Sequence, residues 1–293
     1  MDTLRRLVLN PLGCAGLVLV AFWAVVALLA PVIAPPHAGH RDPYIIERVG
    51  FSSLPKPPST EAVLGTTGGG YDIFYGIVWG SRTAFGVGLI VVGATALIGV
   101  LLGGLGAFAG GWIDSVVMRI TDLFMSFPFL IAVIVMTVVL GKGIDKVILA
   151  LVIFGWRQYA RVMRSEVLSV KEREFVRAAE SIGCGRFRIF FRHILPNAIF
   201  PVFVLATLDI GAIVLIAASL SFIGVGAEPG YADWGQMISF SRDWILGAVG
   251  DPFRYWYTYV YPSIAILTFV LGWTLLGDVL RDILDPRLKR SKK

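Results

Sequence analysis

Charged residues are scarce in this chain of 293 residues. Asp, Glu, Lys and Arg make up 16% of it, whereas 56% is hydrophobic and the mean hydropathy is +0.77. A soluble domain carries about 25% charged residues, and a disordered chain combines low hydrophobicity with high charge. The composition therefore excludes a disordered protein and a single water-soluble core. It also argues against a soluble nucleic-acid-binding protein, despite the net charge of +6.

Cysteine and histidine are scarce as well, which limits the available chemistry. The two cysteines, Cys14 and Cys184, are too few for a disulfide framework. With three histidines, no Ser–His or Cys–His pairing occurs within an apolar run, which argues against an intramembrane enzyme. His37 and His40 lie in a Pro-rich segment, where we predict a solvated loop and no metal site.

A phosphate-binding loop is also lacking. Such a loop needs a glycine, four residues and then Gly-Lys-Ser/Thr. Gly141-Lys142-Gly143 has neither the leading glycine nor the hydroxyl. We therefore predict no ATPase site, no catalytic residue and no resident cofactor in this chain.

Long apolar runs are what the sequence has in abundance. A helix that crosses a hydrocarbon core of roughly 30 Å needs about 20 apolar residues. Six candidate runs occur, at residues 12–34, 84–107, 123–140, 147–156, 198–224 and 257–279. The fourth is the shortest and needs a polar extension to cross. The first is longer than the roughly 7–15-residue core of a signal peptide. The runs predict an all-α membrane protein with about six transmembrane helices.

Lysine and arginine are unevenly distributed among the connecting segments. With the N-terminus inside, the inner segments hold 18 of these residues and the outer segments hold 8. Because cytoplasmic loops carry the excess of basic residues, both termini are predicted to be cytoplasmic. The surplus is then a topology signal that needs no nucleic-acid partner. We divide the chain into residues 1–83, with the first helix and a long outer loop, and a core transmembrane domain at 84–293.

The inner loop 157–197 predicts two short helices joined by a sharp turn. Ser169 and Glu172 have the spacing of a capping box, which predicts a helix start at Ser169. An apolar face follows at helical spacing and comprises Phe175, Ala178, Ala179 and Ile182. Gly183 and Gly185 are predicted to end this helix, because glycine adopts the left-handed conformation without a Cβ clash. A second apolar repeat precedes Pro196, which suits the first turn of the next span.

An apolar face with a basic rim outside the bilayer needs something to cover it. It packs either against the chain's own helices and lipid headgroups or against a partner protein; the spacing alone leaves both open. The long outer loop 225–256 carries a similar pattern. Its apolar residues predict an amphipathic or re-entrant piece at the outer surface: Trp234, Met237, Ile238, Trp244 and Ile245.

The inner loop carries a family resemblance. Arg177-Ala178-Ala179, three residues, Gly183, nine residues and His193-Ile194-Leu195-Pro196 resemble the EAA loop. That loop marks the permease subunits of binding-protein-dependent ABC importers, with the pattern Glu-Ala-Ala, three, Gly, nine, Ile, one, Leu, Pro. Five positions match, namely Ala178, Ala179, Gly183, Leu195 and Pro196. Arg177 stands in place of the glutamate and His193 in place of the isoleucine.

The resemblance extends over residues 64–290. It is closest to the second permease type of the branch that serves dipeptides, oligopeptides and nickel. The matching motifs are Gly110-Gly111-Trp112-Ile113-Asp114, Ser126-Phe127-Pro128, Leu220-Ser221-Phe222-Ile223-Gly224, Trp234-Gly235 and the segment 276–287. The chain departs from the family before the second span, where Thr67 and Tyr71 replace an aspartate and an arginine.

The resemblance implies a type I ABC importer permease fold with a cytoplasmic coupling helix. It implies a passive half-pore for di- or oligopeptides in a bacterial-type inner membrane, among the membrane lipids. The implied partners are a homologous second permease, two cytoplasmic ATPases that bind ATP and Mg, and an extracytoplasmic binding protein. Coupling to the ATPase is carried onto Phe175, Ala178, Ala179, Ile182, Gly183, Leu195 and Pro196. Nickel or oligosaccharides remain alternative cargoes, and an autonomous secondary transporter or channel is the alternative class.

Asp209 is the one carboxylate deep in a predicted span. Such a residue is costly in lipid and usually faces the bundle interior or a water-filled path. It either lines the translocation path and meets cargo or pairs with a polar group on a neighbouring helix or partner. Three further polar residues of the same span could line the same path: Thr207, Ser219 and Ser221.

Overall fold

The computed structural model describes residues 7–36, 42–247 and 253–284. Within these ranges the regular structure is helical, and isolated β-bridges are confined to the outer segments, such as Ile45 with Tyr231. The all-α prediction is therefore confirmed.

Four helical stretches are long and apolar enough to cross a membrane. The first is α1, Pro11–Ile33. The second begins as α2, Ile73–Gly99, and continues through a π-helical segment, Val100–Gly104, into α3, Leu105–Ala109. Two more such stretches occur in the second half of the chain. They are α10, Phe200–Ile223, and α13, Tyr257–Leu284.

The second span begins eleven residues before the predicted position 84. Its start is fixed by Asp72, whose Oδ1 accepts a hydrogen bond from the Tyr75 backbone N–H at 3.0 Å. An aspartate at this position satisfies one of the free donors of the first helical turn. The helix therefore begins ahead of the continuous apolar run, and the boundary predicted between residues 83 and 84 falls inside α2.

The third predicted span is broken. Helix α4, Gly111–Met125, and helix α5, Phe129–Leu140, meet at an angle of 83°. Pro128 lies at the break, where it disfavours the helical conformation of the residue before it. If the bent pair counts as one span, the number of candidate spans on length and composition is five.

The fourth predicted span is part of a single 28-residue helix, α6, Ile144–Lys171. Its charged residues keep it outside the candidate spans, yet it packs closely on α2 and the π-helical segment. A Cβ on Gly99 would lie 2.3 Å from the Tyr159 Cβ, and one on Gly103 would lie 2.1 Å from the Ala160 carbonyl oxygen. Only glycine permits this approach, as is common where helices pack in lipid.

The end of the bundle that carries the predicted outer segments encloses the short helix α11, Trp234–Ser239. Trp234 is 2% exposed, and its indole N–H donates to the Ile77 carbonyl at 3.1 Å. Gly80 of α2 makes room for it, because a Cβ there would lie 2.6 Å from the Trp234 ring. The segment is therefore inserted between helices. The re-entrant alternative agrees with this position, whereas an amphipathic piece lying on the outer surface is wrong for α11.

The remaining helices are short and lie in the inner and outer connections. They are α7, Glu174–Ser181, α8, Arg186–Arg188, α9, Leu195–Ala198, and α12, Arg242–Gly247. A second π-helical segment, Ile189–Ile194, joins α8 to α9.

Candidate functional site

The inner loop begins later than the sequence predicts. Helix α6 continues through Ser169 to Lys171, because Val167 and Val170 are completely buried on its packed face. The predicted helix start at Ser169 is therefore wrong. Helix α7 starts at Glu174, and its N-cap residue, Arg173, makes no side-chain capping bond.

The turn after α7 follows the prediction at Gly183, whereas Gly185 has a φ of −64° and precedes the first residue of α8. Gly183 has a φ of +79°, in the left-handed region that favours glycine. The Gly183 N–H donates to the Glu180 carbonyl at 3.0 Å, and the Cys184 N–H donates to the Ala179 carbonyl at 3.1 Å. This pair of bonds is the Schellman motif, which satisfies free carbonyls at a helix end. The loop therefore contains two helical pieces with a sharp turn between them.

The predicted apolar face of α7 divides between the inside and the outside. Ala179 is 5% exposed and points inward together with Val176. Phe175 and Ile182 are 40% and 80% exposed, and Ala178 is also exposed. The outward-facing part of α7 is therefore an uncovered apolar surface, whereas Ala179 supports it from below.

This surface continues past the turn and has a basic rim. We define the docking surface as Phe175, Ala178, Ile182 and Phe187, the last of which is 81% exposed. The arginines around it are all exposed: Arg173, Arg177, Arg186, Arg188 and Arg192. Arg177, in the position of the family's glutamate, forms an exposed ion pair with Glu172 at 2.5 Å.

Leu195 and Pro196 connect the loop to the membrane helices. Pro196 lies in the first turn of α9, where its missing N–H leaves no donor unsatisfied. Leu195 is half-buried against the core. The Phe203 N–H donates to the Ile199 carbonyl, so α9 passes into α10 with little interruption.

Asp209 pairs with a neighbouring helix of this chain. The Tyr159 hydroxyl of α6 donates to Asp209 Oδ2 at 2.7 Å. The carboxylate is half-buried. This contact satisfies one carboxylate oxygen.

The polar residues of α10 do not share one face. At about 100° per residue, Thr207 and Ser221 lie about 40° apart, whereas Asp209 and Ser219 lie on the other side of the helix. Ser221 is buried and accepts a hydrogen bond from the Ala227 N–H at 3.2 Å. Thr207 is also buried and donates to the Phe203 carbonyl of its own helix at 3.0 Å. Those two residues are therefore packed among helices.

Asp233 is a buried residue that the sequence reasoning missed. It caps α11, because its Oδ1 accepts a hydrogen bond from the Gln236 N–H at 2.8 Å. Burial raises the pKa of the Asp233 carboxyl to about 6, against the lowering effect of its hydrogen bonds. An aspartate directly before the family's Trp-Gly pair was the available signal, since aspartate is a preferred N-cap residue.

Two ion pairs between α4 and α6 were also missed. Arg164 donates to both oxygens of Asp114 at 2.7 Å, and Arg161 donates to Asp122 Oδ1 at 2.6 Å. The bidentate pair is the more buried of the two. It holds the first half of the bent pair against α6. Asp114 ends the Gly110–Asp114 motif, and that motif was the signal for this contact.

Thr67 and Tyr71, the two departures from the family pattern, are both held by contacts within the outer segments. Thr67 is completely buried, and its N–H donates to the Tyr71 carbonyl at 2.9 Å. The Tyr71 ring stacks on the Phe240 ring, with 4.9 Å between their centroids. The guanidinium carbon of Arg48 lies 4.7 Å from the centroid of the Tyr71 ring. Arg48 also donates to the Tyr71 hydroxyl at 2.6 Å. A guanidinium is thus present beside position 71, supplied by another part of the chain.

Metal ligands do not cluster in the described part of the chain. Residues 7–36, 42–247 and 253–284 contain no group of three or more His, Cys, Asp or Glu side chains that could hold an ion. His37 and His40 lie outside the described residues, so the prediction made for them stays a prediction.

Comparison with known proteins places this geometry in a family. Residues 95–290 match the inner membrane component of binding-protein-dependent transport systems. Residues 1–55 match the N-terminal transmembrane domain of oligopeptide transport permease C.

Individual relatives are similar along almost the whole chain. The dipeptide transport system permease protein DppC of Alkalihalophilus pseudofirmus is 34% identical over 98% of this chain and 90% of its own length. The oligopeptide transport system permease protein OppC of Bacillus subtilis is 33% identical over 99% and 90%. The glutathione transport system permease protein GsiD of Escherichia coli is 36% identical over 97% and 89%.

The family consists of transport subunits, not enzymes, that work with ATPase and substrate-binding components. The family match, the full-length relatives and the apolar helices together show a multi-pass inner-membrane protein. The chain belongs to the permease subunits of binding-protein-dependent ABC transport systems.

Proposed function

We propose that this chain forms half of the translocation path of an importer for di- or oligopeptides. The names of three relatives support this cargo class, because they are dipeptide, oligopeptide and glutathione permeases. The other half of the path comes from a homologous second permease. Two cytoplasmic ATPases bind ATP and Mg and drive transport, and an extracytoplasmic binding protein delivers the cargo.

In this proposal the chain crosses the membrane six times. The crossing elements are α1, α2 with α3, the bent pair α4–α5, α6, α10 and α13. Helix α6 supplies the fourth crossing, because 28 residues at 1.5 Å each give about 42 Å, more than the roughly 30 Å of a hydrocarbon core. Both termini and the loop 157–197 are then cytoplasmic, in agreement with the excess of lysine and arginine there.

The uncovered docking surface is the observation that carries this proposal. Apolar side chains as exposed as Ile182 and Phe187 need a partner in water, and the arginine rim fits a partner with an acidic edge. We assign this partner as the cytoplasmic ATPase. Phe175, Ala178 and Ile182 contact it, Ala179 supports them, and Gly183 fixes the angle of the turn. When the ATPase moves α7, Leu195 and Pro196 transmit the displacement of the loop to α10.

Asp209 and Ser219 are the residues of α10 that we assign to the translocation path. They lie on one side of the helix, and neither is fully buried. A carboxylate there attracts the ammonium group of a passing peptide. Thr207 and Ser221, which also came from the sequence, are assigned to packing on the opposite side.

Purification of the native assembly tests the proposal. The tagged chain is extracted in mild detergent, and its partners and bound small molecules are identified by mass spectrometry. We expect an ATPase, a second permease, a binding protein and a peptide. Recovery of this chain alone, as a monomer or homo-oligomer, would contradict the importer.

A matched pair of variants tests the docking surface in the same preparation. Ile182→Asp places a charge on the docking surface and should remove the ATPase. Val63→Asp is the control, because Val63 is 62% exposed in the outer segment, and this variant should retain the ATPase. Loss of the ATPase from both variants, or from neither, would contradict the assignment.

A further inference from the structure

Phe108, near the end of α3, contacts residues that flank α7 on both sides. Its ring centroid lies 5.8 Å from Lys171 Nζ and 5.5 Å from the Arg186 guanidinium carbon. Lys171 is the last residue of α6, and Arg186 is the first of α8. The two ends of the segment that carries α7 therefore meet at one aromatic ring from a different helix.

Two more contacts attach Phe108 to the loop. Lys171 Nζ donates to the Phe108 carbonyl oxygen at 3.3 Å. The Phe190 ring lies 5.0 Å from the Phe108 ring, measured between centroids. Phe108 is half-buried, so its attraction for the two cations is stronger than at a fully exposed site. The backbone of Phe108 is thus held by a hydrogen bond, and its ring by a ring contact and two cations.

The backbone next to Phe108 is able to turn. Gly110 and Gly111 have φ values of +71° and +58°, and no atom lies within 4 Å of a Cβ built on either residue. These two residues separate α3 from α4. Displacement of the Phe108 ring therefore acts on α3 directly beside a glycine pair that is not held by neighbouring side chains.

We propose that Phe108 is a positioning residue that transmits the displacement of α7 to the span formed by α2 and α3. The inference rests on the proposed function, because it requires that an ATPase moves α7. Val176 and Ala179, the buried residues of α7, lie in the loop that moves with α7. Their contacts within that loop therefore cannot by themselves transmit the displacement of α7 to another span. Phe108 joins that loop to a span that is distant in sequence.

Transport and hydrolysis measured together test this inference. The complete transporter is reconstituted in liposomes, and peptide uptake is measured per ATP hydrolysed, with the amount of bound ATPase as a third readout. Phe108→Leu keeps an apolar side chain but removes the aromatic face. We expect the ATPase to stay bound and hydrolysis to continue, whereas uptake per ATP falls roughly tenfold, as expected from loss of two cation–π contacts. Phe108→Tyr, which retains the aromatic face, should restore coupling.

Two further variants separate transmission from simple packing. Phe22→Leu on α1 is the control, because Phe22 is 55% exposed and far from the loop in sequence, and it should leave coupling unchanged. Arg186 also belongs to the arginine rim, so the variants are compared at equal amounts of bound ATPase. Under that condition Arg186→Gln alone should reduce uptake per ATP, and it should add little in the Phe108→Leu background, since both changes remove the same contact.

The possible results distinguish the inference from the proposed function. Unchanged uptake per ATP in Phe108→Leu, or loss of uptake only in proportion to lost ATPase, would overturn the role of Phe108. Fully additive effects of Phe108→Leu and Arg186→Gln would also overturn it. Absence of peptide-stimulated hydrolysis in the wild-type assembly would instead contradict the proposed function.

Discussion

The Tyr159 hydroxyl donates a hydrogen bond to Asp209 Oδ2 over 2.7 Å and thereby joins α6 to α10. The same stretch of α6 lies against the glycines of α2, because a Cβ on Gly99 would lie 2.3 Å from the Tyr159 Cβ. Tyr159 therefore fixes the separation of three helices at once. An aspartate in an apolar helix is tolerated here because a fixed hydroxyl reaches it.

Removing this hydroxyl should destabilise the protein. Tyr159→Phe leaves the half-buried carboxylate without its donor, at a cost of about 1–3 kcal/mol. The melting temperature in detergent should fall. Tyr257→Phe is the control, because the Tyr257 hydroxyl is buried without a hydrogen-bond partner among residues 7–36, 42–247 and 253–284. Equal melting temperatures for the two variants would show that the Tyr159 hydroxyl contributes nothing.

Uptake should depend on which backbone conformation the residue at position 183 can adopt, and not on the size of its side chain. No atom lies within 4 Å of a Cβ built on Gly183, but its φ is +79°. Gly183→Val should therefore abolish uptake while membrane insertion stays intact, because a branched residue strains this conformation. Gly183→Asn should retain most uptake, since asparagine tolerates the left-handed region. Normal uptake by Gly183→Val would exclude the coupling role of the turn.

The ion pairs at Asp114 and Glu172 should differ in their contribution to stability. Asp114 is 16% exposed in its side chain and bound by two hydrogen bonds from Arg164, whereas Glu172 is 72% exposed and paired once. Asp114→Asn should cost about 1–3 kcal/mol of unfolding free energy. Glu172→Gln should change it by less than about 0.5 kcal/mol. Denaturation in detergent compares the two, and similar losses would contradict the distinction.

Asp233 should make the stability of the fold depend on pH. Its folded pKa of about 6 lies above the unfolded value of about 3.9. The folded state therefore binds the proton more tightly. The contribution of Asp233 is fully favourable below about pH 4 and is lost as the pH rises through about 6, with a total loss of about 3 kcal/mol.

Asp233→Asn isolates this effect. Asparagine also caps helices well, so α11 should be retained while the titration disappears. Melting temperatures of the variant and the wild type, measured from pH 4 to pH 7.5, should diverge as the pH rises, with the variant more stable at neutral pH. Parallel curves over this range would show that Asp233 keeps an ordinary pKa.

The existence of the helices was predictable from hydropathy, because the apolar runs are helical over most of their length, although the run at 123–140 is broken at Pro128. Their ends were harder to predict, because they depend on single capping contacts. Asp72 starts α2 well before the apolar run, and the buried face at Val167 and Val170 carries α6 past a local capping signal at Ser169. The Gly183 turn was predictable because it needs only its own backbone conformation.

The candidate site was predictable only in part, for a geometric reason. Spacing placed Phe175 and Ala179 on one face, but the structure exposes Phe175 and buries Ala179, because the loop's own second half packs under α7. Likewise, the partner of Asp209 is Tyr159, fifty residues away in the sequence. Local patterns carry no information about contacts of this kind.

Two close contacts join the span formed by α2 and α3 to its neighbours. Gly80 of α2 lies against the Trp234 ring of α11, and Gly103 of the π-helical segment lies against Ala160 of α6. Rotation or sliding of the span relative to these neighbours would bring larger side chains into both contacts. We therefore expect α6 and α11 to travel with the span, so that the three elements act as one mechanical unit.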